Sequence, residues 1–199
     1  MKKIFILIAI IISFSGGIRA QFVPNGGFEN WTNGVADYWL FDQLMDTVGV
    51  LMQYSPGHTG NHALYGYPLA GTTRNFSPAV ITTPDSISQY FGYLNFYYQL
   101  NNSGFDALEV VLEIEDSTHT AIGGAYQLIS TYASAWTHAS VPIIYTGSGG
   151  PPARFIISFV LIGPVSQGLS PQLNSSFLLD DVGFSVPLLP SGPTPMRMD

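Results

Sequence analysis

The chain is dominated by short runs in which apolar and polar side chains alternate, and turn residues separate these runs. Alternation with a period of two places successive side chains on opposite faces of a β-strand, and no stretch shows an apolar face at helical spacing. The candidate strands are residues 48–55, 92–100, 108–115, 125–131, 138–145, 153–163 and 175–186. Many short strands at fairly regular intervals predict an all-β fold, a two-sheet antiparallel β-sandwich or jelly roll.

Two of these runs predict which face lies in the core. In residues 92–100, one face is apolar and the other combines two rings with two amides. In residues 108–115, one face is apolar and three glutamates point outward on the other. The run at 153–163 is apolar on both faces, which predicts a central strand. The predicted core positions are Leu94, Phe96, Tyr98, Leu100, Leu108, Val110, Leu112 and Ile114, and the opposite faces carry Tyr93, Asn95, Tyr97, Gln99, Glu109, Val111, Glu113 and Glu115.

The first twenty residues have the pattern of a secretory signal peptide, with Lys2 and Lys3 before an apolar run and Ala20 at the expected cleavage point. An uncleaved membrane anchor is the alternative, although the apolar run is shorter than the roughly 20 residues that span a bilayer. We therefore expect a secreted protein with one domain over 21–187. The proline-rich residues 188–199 predict a loose tail.

Charge excludes several partners. Three of the six basic residues would leave with the signal peptide and all thirteen acids would stay, which gives a net charge of −10. Nucleic acid and anionic membranes are held by clusters of Lys and Arg, so neither is an expected partner. The chain has no cysteine, and its core must form without disulfides or thiolate metal sites.

Acidic residues near both ends raise the possibility of a shared ion. Asp180 and Asp181 interrupt an apolar strand, where unpaired carboxylates are costly. If the first and last strands lie together, Glu29 and Asp180 can offer oxygens to one Ca²⁺, completed by turn carbonyls near Asn25 and in the loop 55–64. The alternative is that Asp181 and Glu29 are surface acids and that Asp180 caps a turn.

The order of several short motifs resembles a known family. These are N-x-x-F-E with a following Trp at 25–31, D-Y-W at 37–39, S-x-G-x-x-G-x-x-A-L at 55–64, W-T at 136–137 and L-D-D-V at 179–182. In this order they are similar to carbohydrate-binding modules with a galactose-binding-like β-jelly roll, the kind found beside bacterial xylanases and glucanases. The resemblance covers residues 22 to about 186.

The resemblance implies a structural calcium ion held by Glu29 and Asp180, with backbone oxygens near Asn25 and from Gly60 to His62. Strand parity places Asp180 on the same face as Leu178, Val182 and Phe184, which favours it over Asp181 as the ligand. The resemblance also implies that Trp39 and Trp136 are core residues rather than sugar contacts.

The predicted glycan-binding residues are Tyr93, Asn95, Tyr97 and Gln99. Sugar rings lie on aromatic side chains and their hydroxyls pair with amides, and the two tyrosines lie roughly 13 Å apart along the strand. The alternative is that this face packs beneath a loop or forms part of a second core.

Signals for catalysis are weak. Glu113 and Glu115 share a strand face at about 6.6 Å, near the carboxyl separation of glycoside hydrolases, but an outward acidic face more often protects a sheet from aggregation. His58 and His62 lack the acid of a helical zinc motif, and no nucleophile elbow is present.

The sequence therefore predicts a secreted, non-catalytic module that binds polysaccharide or oligosaccharide, with a structural calcium ion and an association with the cell surface. The alternative is an adhesive surface domain that contacts protein.

Overall fold

A computed structural model describes residues 21–41, 49–103, 105–147, 149–164, 166 and 168–186. The predicted signal peptide and the predicted tail lie outside the described residues. No helix among the described residues is long and apolar enough to cross a membrane. The strands are β1 (Gln21–Phe22), β2 (Trp31–Thr32), β3 (Val35–Ala36), β4 (Trp39–Phe41), β5 (Val50–Tyr54), β6 (Ala63–Tyr67), β7 (Ala79–Thr82), β8 (Asp85–Ser86), β9 (Tyr93–Asn101), β10 (Ala107–Glu115), β11 (Ala121–Ile129), β12 (Ala133–Pro142), β13 (Ile144–Tyr145), β14 (Arg154–Ile162) and β15 (Ser176–Ser185).

Thirteen of these strands form two antiparallel sheets, and β2 and β3 pair with each other as a separate two-stranded sheet. The first sheet has the order β12-β9-β15-β6-β5, with β1 paired to β15, and the second has the order β13-β11-β10-β14-β7-β4, with β8 paired to β14. The prediction of an all-β, two-sheet antiparallel sandwich is confirmed. The run at 153–163 is central as predicted, because β14 lies between β10 and β7.

The core lies between the inner faces of the two sheets. The eight core positions predicted on β9 and β10 are all buried. Trp39 is also in the core, 2% exposed, where its ring packs against Phe28 and Phe159 at centroid distances of 4.9 and 6.2 Å. Burial of such large rings supplies most of the favourable free energy of a chain without disulfides.

Two strand predictions need correction. Residues 138–145 form two strands, because β12 ends at Pro142 and β13 pairs with β11 in the other sheet. Residues 63–67 form β6, which the sequence did not indicate because Gly66 and the following Pro68 are typical of turns. Gly66 is needed there because a Cβ would lie 2.5 Å from the ring of Phe177.

The last strand contains a β-bulge that the parity argument did not foresee. Its register against β9 shifts between Asp180 and Gly183, and Asp181 has a φ of 52°. Leu178 and Asp180 therefore share a face with Gln99 and Tyr97, their cross-strand partners. Val182 and Phe184 lie in the core. The prediction that these four β15 residues share one face is wrong.

Candidate functional site

The loop 55–62 covers Asp180 on the outer face of the first sheet. The carboxylate oxygen Oδ2 of Asp180 accepts hydrogen bonds from the backbone N–H groups of His58 at 2.7 Å and Thr59 at 3.2 Å. The side chain is fully buried. Burial and the neighbouring charge of Asp181 raise the pKa of Asp180 to about 6, and the backbone hydrogen bonds to its carboxylate oppose that rise.

Asp181 binds the same loop from its exposed side. His58 Nδ1 lies 2.6 Å from Asp181 Oδ2, and the hydroxyl of Thr59 donates to Asp181 Oδ1 at 2.6 Å. The positive φ of Asp181 turns its side chain toward the loop beside Asp180. The two adjacent acids therefore fix the same two loop residues, Asp180 through the backbone and Asp181 through the side chains.

Glu29 holds the other half of the loop from the first turn of the domain. Its Oε1 accepts hydrogen bonds from the backbone N–H groups of Asn61 at 2.8 Å and His62 at 3.0 Å. Gly60 has a φ of +65°, and a Cβ on it would collide with Glu29 Oε1. The predicted meeting of the first turn and the last strand of the domain is confirmed, because Glu29 and the Asp180–Asp181 pair bind one short loop.

Asn25 organises the first turn. Its side-chain amide donates to the carbonyl oxygens of Asn30 at 2.9 Å and Asp37 at 3.0 Å, and its own carbonyl accepts from Phe28 N–H and from Trp39 Nε1. The backbone carbonyl oxygen of Asn25, which the sequence analysis considered as a calcium ligand, therefore already accepts two hydrogen bonds. Gly26, the next residue, accepts a backbone hydrogen bond from Val182 at 2.9 Å, which joins this turn to β15.

The oxygens beneath the loop match the ligand chemistry of calcium. A Cβ placed on Gly57 would collide with the carbonyl oxygen of His62, and it would lie 2.6 Å from the carbonyl oxygen of Thr59 and 2.8 Å from Asp180 Oδ2. Carboxylate and carbonyl oxygens are the ligands that Ca²⁺ prefers. No three acidic, His or Cys side chains gather into a metal-binding cluster among the residues described. An ion here would depend mainly on backbone oxygens.

The predicted ligand strip on β9 is divided by His58. The His58 ring stacks on Tyr97 with centroids 3.6 Å apart and planes at 15°, and His138 packs against the same tyrosine at 5.1 Å. One face of Tyr97 is therefore covered by a protein ring rather than open to a sugar. Asn95 and Gln99 lie on opposite sides of this stack.

Gln99 belongs to a row of side chains that crosses the strands. Register pairs Gln99 on β9 with Leu178 on β15, Leu178 with Tyr65 on β6, and Tyr65 with Met52 on β5. Three strand spacings give this row a length of about 14 Å. Gln99, Leu178 and Tyr65 line a cavity of about 200 Å³, and Tyr132 is among its other lining residues.

Further rings widen this floor. Tyr65 lies 6.0 Å from Tyr54 and 5.5 Å from Tyr67 between ring centroids. The sequence analysis missed these three tyrosines. The available signal was that Tyr54 precedes the glycine-containing loop 55–62, whereas Tyr65 and Tyr67 follow it at the spacing of two that is typical of one strand face.

Trp136 is not a core residue. It is half-buried on the outer face, edge-on to His58 at 5.8 Å, because the register of β12 against β9 shifts between Ala133 and Thr137. The expectation that it packs in the core is wrong, and its ring instead flanks the stack of His58 on Tyr97.

Asn95 lies by a second cavity, of about 380 Å³, on the other side of that stack. Its amide donates to the hydroxyl of Ser185 at 2.8 Å. Tyr93, at the start of the strand, is 39% exposed. The four predicted ligand residues thus share one sheet face, as predicted, without forming one continuous surface.

The acids considered for catalysis lie on the second sheet. Glu113 is exposed and Glu115 is half-buried, 3.5 Å from Arg154 and 3.2 Å from His119. Arg154 and His119 thus pair with Glu115, and none of the salt bridges among the described residues involves Glu113.

Solved structures with the same fold have different activities. A protein designated a glycoside hydrolase, from Bacteroides thetaiotaomicron, has a TM-score of 0.58 at 10% identity over 83% of this chain and 69% of that chain. A carbohydrate-binding module specific for non-crystalline cellulose has a TM-score of 0.53 at 15% identity over 83% and 94%. A cyclase from Fischerella sp. TAU has a TM-score of 0.55 at 15% identity over 83% and 96%.

No protein-family model and no curated protein matches the chain. At these identities the solved structures show the fold alone. The chain therefore has the jelly-roll β-sandwich fold seen in carbohydrate-binding modules, and this fold also occurs in proteins designated as enzymes.

The raised pKa of Asp180 predicts how stability depends on pH in the presence of chelator. The folded protein holds a proton on Asp180 up to about pH 6, whereas the ordinary value is 3.8. Ionised Asp180 therefore costs stability, and the free energy of unfolding should rise as pH falls from 7 to 5. Thermal melts of the wild type and Asp180→Asn, each at both pH values, measure this contribution.

Asp180→Asn should lack most of the rise in the free energy of unfolding between pH 7 and pH 5, whatever its absolute stability. Asp116 does not contribute in this window, because hydrogen bonds from Gly150 and Thr118 lower its pKa and its stabilisation is lost only at more acidic pH. Equal changes in melting temperature for wild type and variant would show that Asp180 does not titrate as described.

Proposed function

We propose that this protein is a secreted, non-catalytic module that binds glycan chains in a groove across the first sheet. This groove consists of the row from Gln99 to Met52 and the cavity of about 200 Å³ beside it. The observation that carries the proposal is the row formed by Tyr65, Leu178 and Gln99. It combines a ring, an apolar floor and an amide in register at the base of an open cavity. Sugars need this combination, because their C–H faces pack on rings and their hydroxyls pair with amides.

The glycan would run across the strands rather than along β9. The stack of His58 on Tyr97 blocks the path along that strand, whereas the row from Gln99 to Met52 is unobstructed by it. A length of about 14 Å accommodates a short segment of a polysaccharide. Likeness of fold to modules that bind carbohydrate is a further support, at the level of architecture only.

Secretion and a site at the cell surface are part of the proposal. Their support is the apolar N-terminal run after Lys2 and Lys3 and the scarcity of cations in the remaining chain. The absence of catalysis is supported by the placement of Glu115, which pairs with Arg154 and His119 on the opposite sheet.

Adhesion to a protein is the second candidate. The outer face of the second sheet favours it, because Tyr126, Leu128 and Ile144 are 62%, 44% and 69% exposed there. Exposed apolar side chains that lie close together are typical of protein contacts.

The glycan site is tested by binding to a panel of neutral polysaccharides and oligosaccharides. Tyr65→Ala should weaken binding about fivefold or more, because a ring contact contributes about 1 kcal/mol. Tyr126→Ala, an equal truncation on the other sheet, should leave affinity unchanged. Affinity gels or calorimetry supply the measurement.

Two results would contradict the glycan proposal. The first is a folded wild-type protein that binds no member of the panel, which would favour adhesion. The second is equal loss of affinity in both tyrosine variants, since that would move the site away from the first sheet.

We also propose a structural calcium ion beneath the loop 55–62. Asp180 and the carbonyl oxygens of Thr59 and His62 would hold it, with Glu29 binding the loop beside it. When bound, the ion would supply positive charge against the buried carboxylate and tie the last strand to the loop.

Calcium should raise the melting temperature of chelator-treated protein by several degrees, because a ligand that binds only the folded state stabilises it. Magnesium at the same concentration serves as the control, since it demands a tighter octahedral site. Melts that do not change on adding calcium would remove the ion from the account and leave the groove unaffected.

A further inference from the structure

Two loops of the sandwich border an open, polar cavity whose lining residues are not those of the groove. Its volume is about 340 Å³, and all its lining residues are glycine or polar: Gly71, Thr72, Thr73, Arg74, Asn75, Ser170 and Gln172. The groove, in contrast, is floored by Leu178 and tyrosines. A cavity of this composition suits a hydrophilic ligand with several hydrogen-bonding groups.

Arg74 gives this cavity a positive charge. The described residues contain two arginines and no lysine, and Arg154 is paired with Glu115. Arg74 is exposed and makes no ion pair within the described part of the chain. It is therefore a guanidinium available to an external anion, on a chain whose net charge is strongly negative.

The walls of the cavity are held rigidly. Asn75 N–H donates to Ser170 Oγ at 2.8 Å, and the Asn75 amide donates to the Pro171 carbonyl at 2.8 Å. Leu69 and Phe76 exchange two backbone hydrogen bonds at the base of the loop that carries Arg74. The two loops thus form a preorganised site, which lowers the entropic cost of binding.

One lining residue of the cavity, Gln172, is bound to a buried acid. Asp106 is fully buried, and its Oδ2 accepts from the backbone N–H of Gln172 at 2.6 Å and from the hydroxyl of Ser175. Its Oδ1 is buried without a hydrogen-bond partner among the described residues, and Asp106 is not one of the lining residues of the cavity. No acidic residue lines the cavity in the described part of the chain.

From this geometry we propose that the cavity is a second binding site, for an acidic sugar that carries a carboxylate. The Arg74 guanidinium binds the carboxylate with two parallel N–H donors, which is the geometry that favours Arg over Lys. The hydroxyls of Thr72 and Thr73 pair with the sugar hydroxyls. The site is independent of the neutral-glycan groove, so either can fail without the other.

Calorimetry with oligogalacturonate, at low salt, tests the site on the protein without its signal peptide. Arg74→Gln should weaken binding about tenfold, and Arg74→Lys should lose most of the same affinity, because a bidentate charged contact contributes about 1.5 kcal/mol or more. Arg154→Gln removes the other described arginine and should leave binding unchanged. Tyr65→Ala should also leave it unchanged, which separates this site from the groove.

Several outcomes would overturn the proposal. They are the absence of binding by the wild type, an equal loss in Arg74→Gln and Arg154→Gln, and unchanged binding in Arg74→Gln. Competition by acetate or inorganic phosphate as effective as that by galacturonate would show a plain anion site. Weaker competition by these ions supports recognition of the sugar.

Discussion

The binding of one short loop by three carboxylates from the two ends of the domain is the constraint on which the site depends. Glu29 holds the amides of Asn61 and His62, while Asp180 holds those of His58 and Thr59. The loop, which joins β5 at the edge of the first sheet to its neighbour β6, is thereby fixed over the face of the sheet.

The fixed loop also shapes the surface where ligands would bind. The β-bulge after Asp180 places Val182 and Phe184 in the core and lets Asp181 reach His58. His58 then lies on Tyr97, and this stack separates the groove containing Gln99 from the cavity beside Asn95. Structural stability and the shape of the proposed glycan site thus depend on the same few residues.

Part of this arrangement could be predicted from the sequence. Alternation in 92–100 and 108–115 identified the core faces. The acids at 29 and 180 predicted that the first turn and the last strand of the domain meet. Alternation correctly placed Asp180 on the face of Leu178 but failed for Val182 and Phe184, because the intervening bulge depends on pairing with a neighbouring strand. The stack on Tyr97 and the position of Trp136 follow from a loop conformation and a register shift, neither of which has a local signal. Tyr65 was hidden by the turn-like residues Gly66 and Pro68.

Hydrogen exchange of the loop amides tests the carboxylate clamp most directly. The account predicts that the N–H groups of His58, Thr59, Asn61 and His62 exchange slowly, close to the rate of the strands they are tied to, although most of the loop is exposed. Replacement of Glu29 by Gln should speed exchange mainly at Asn61 and His62. Exchange of all four amides at the rate of an open loop in the wild type would contradict the account.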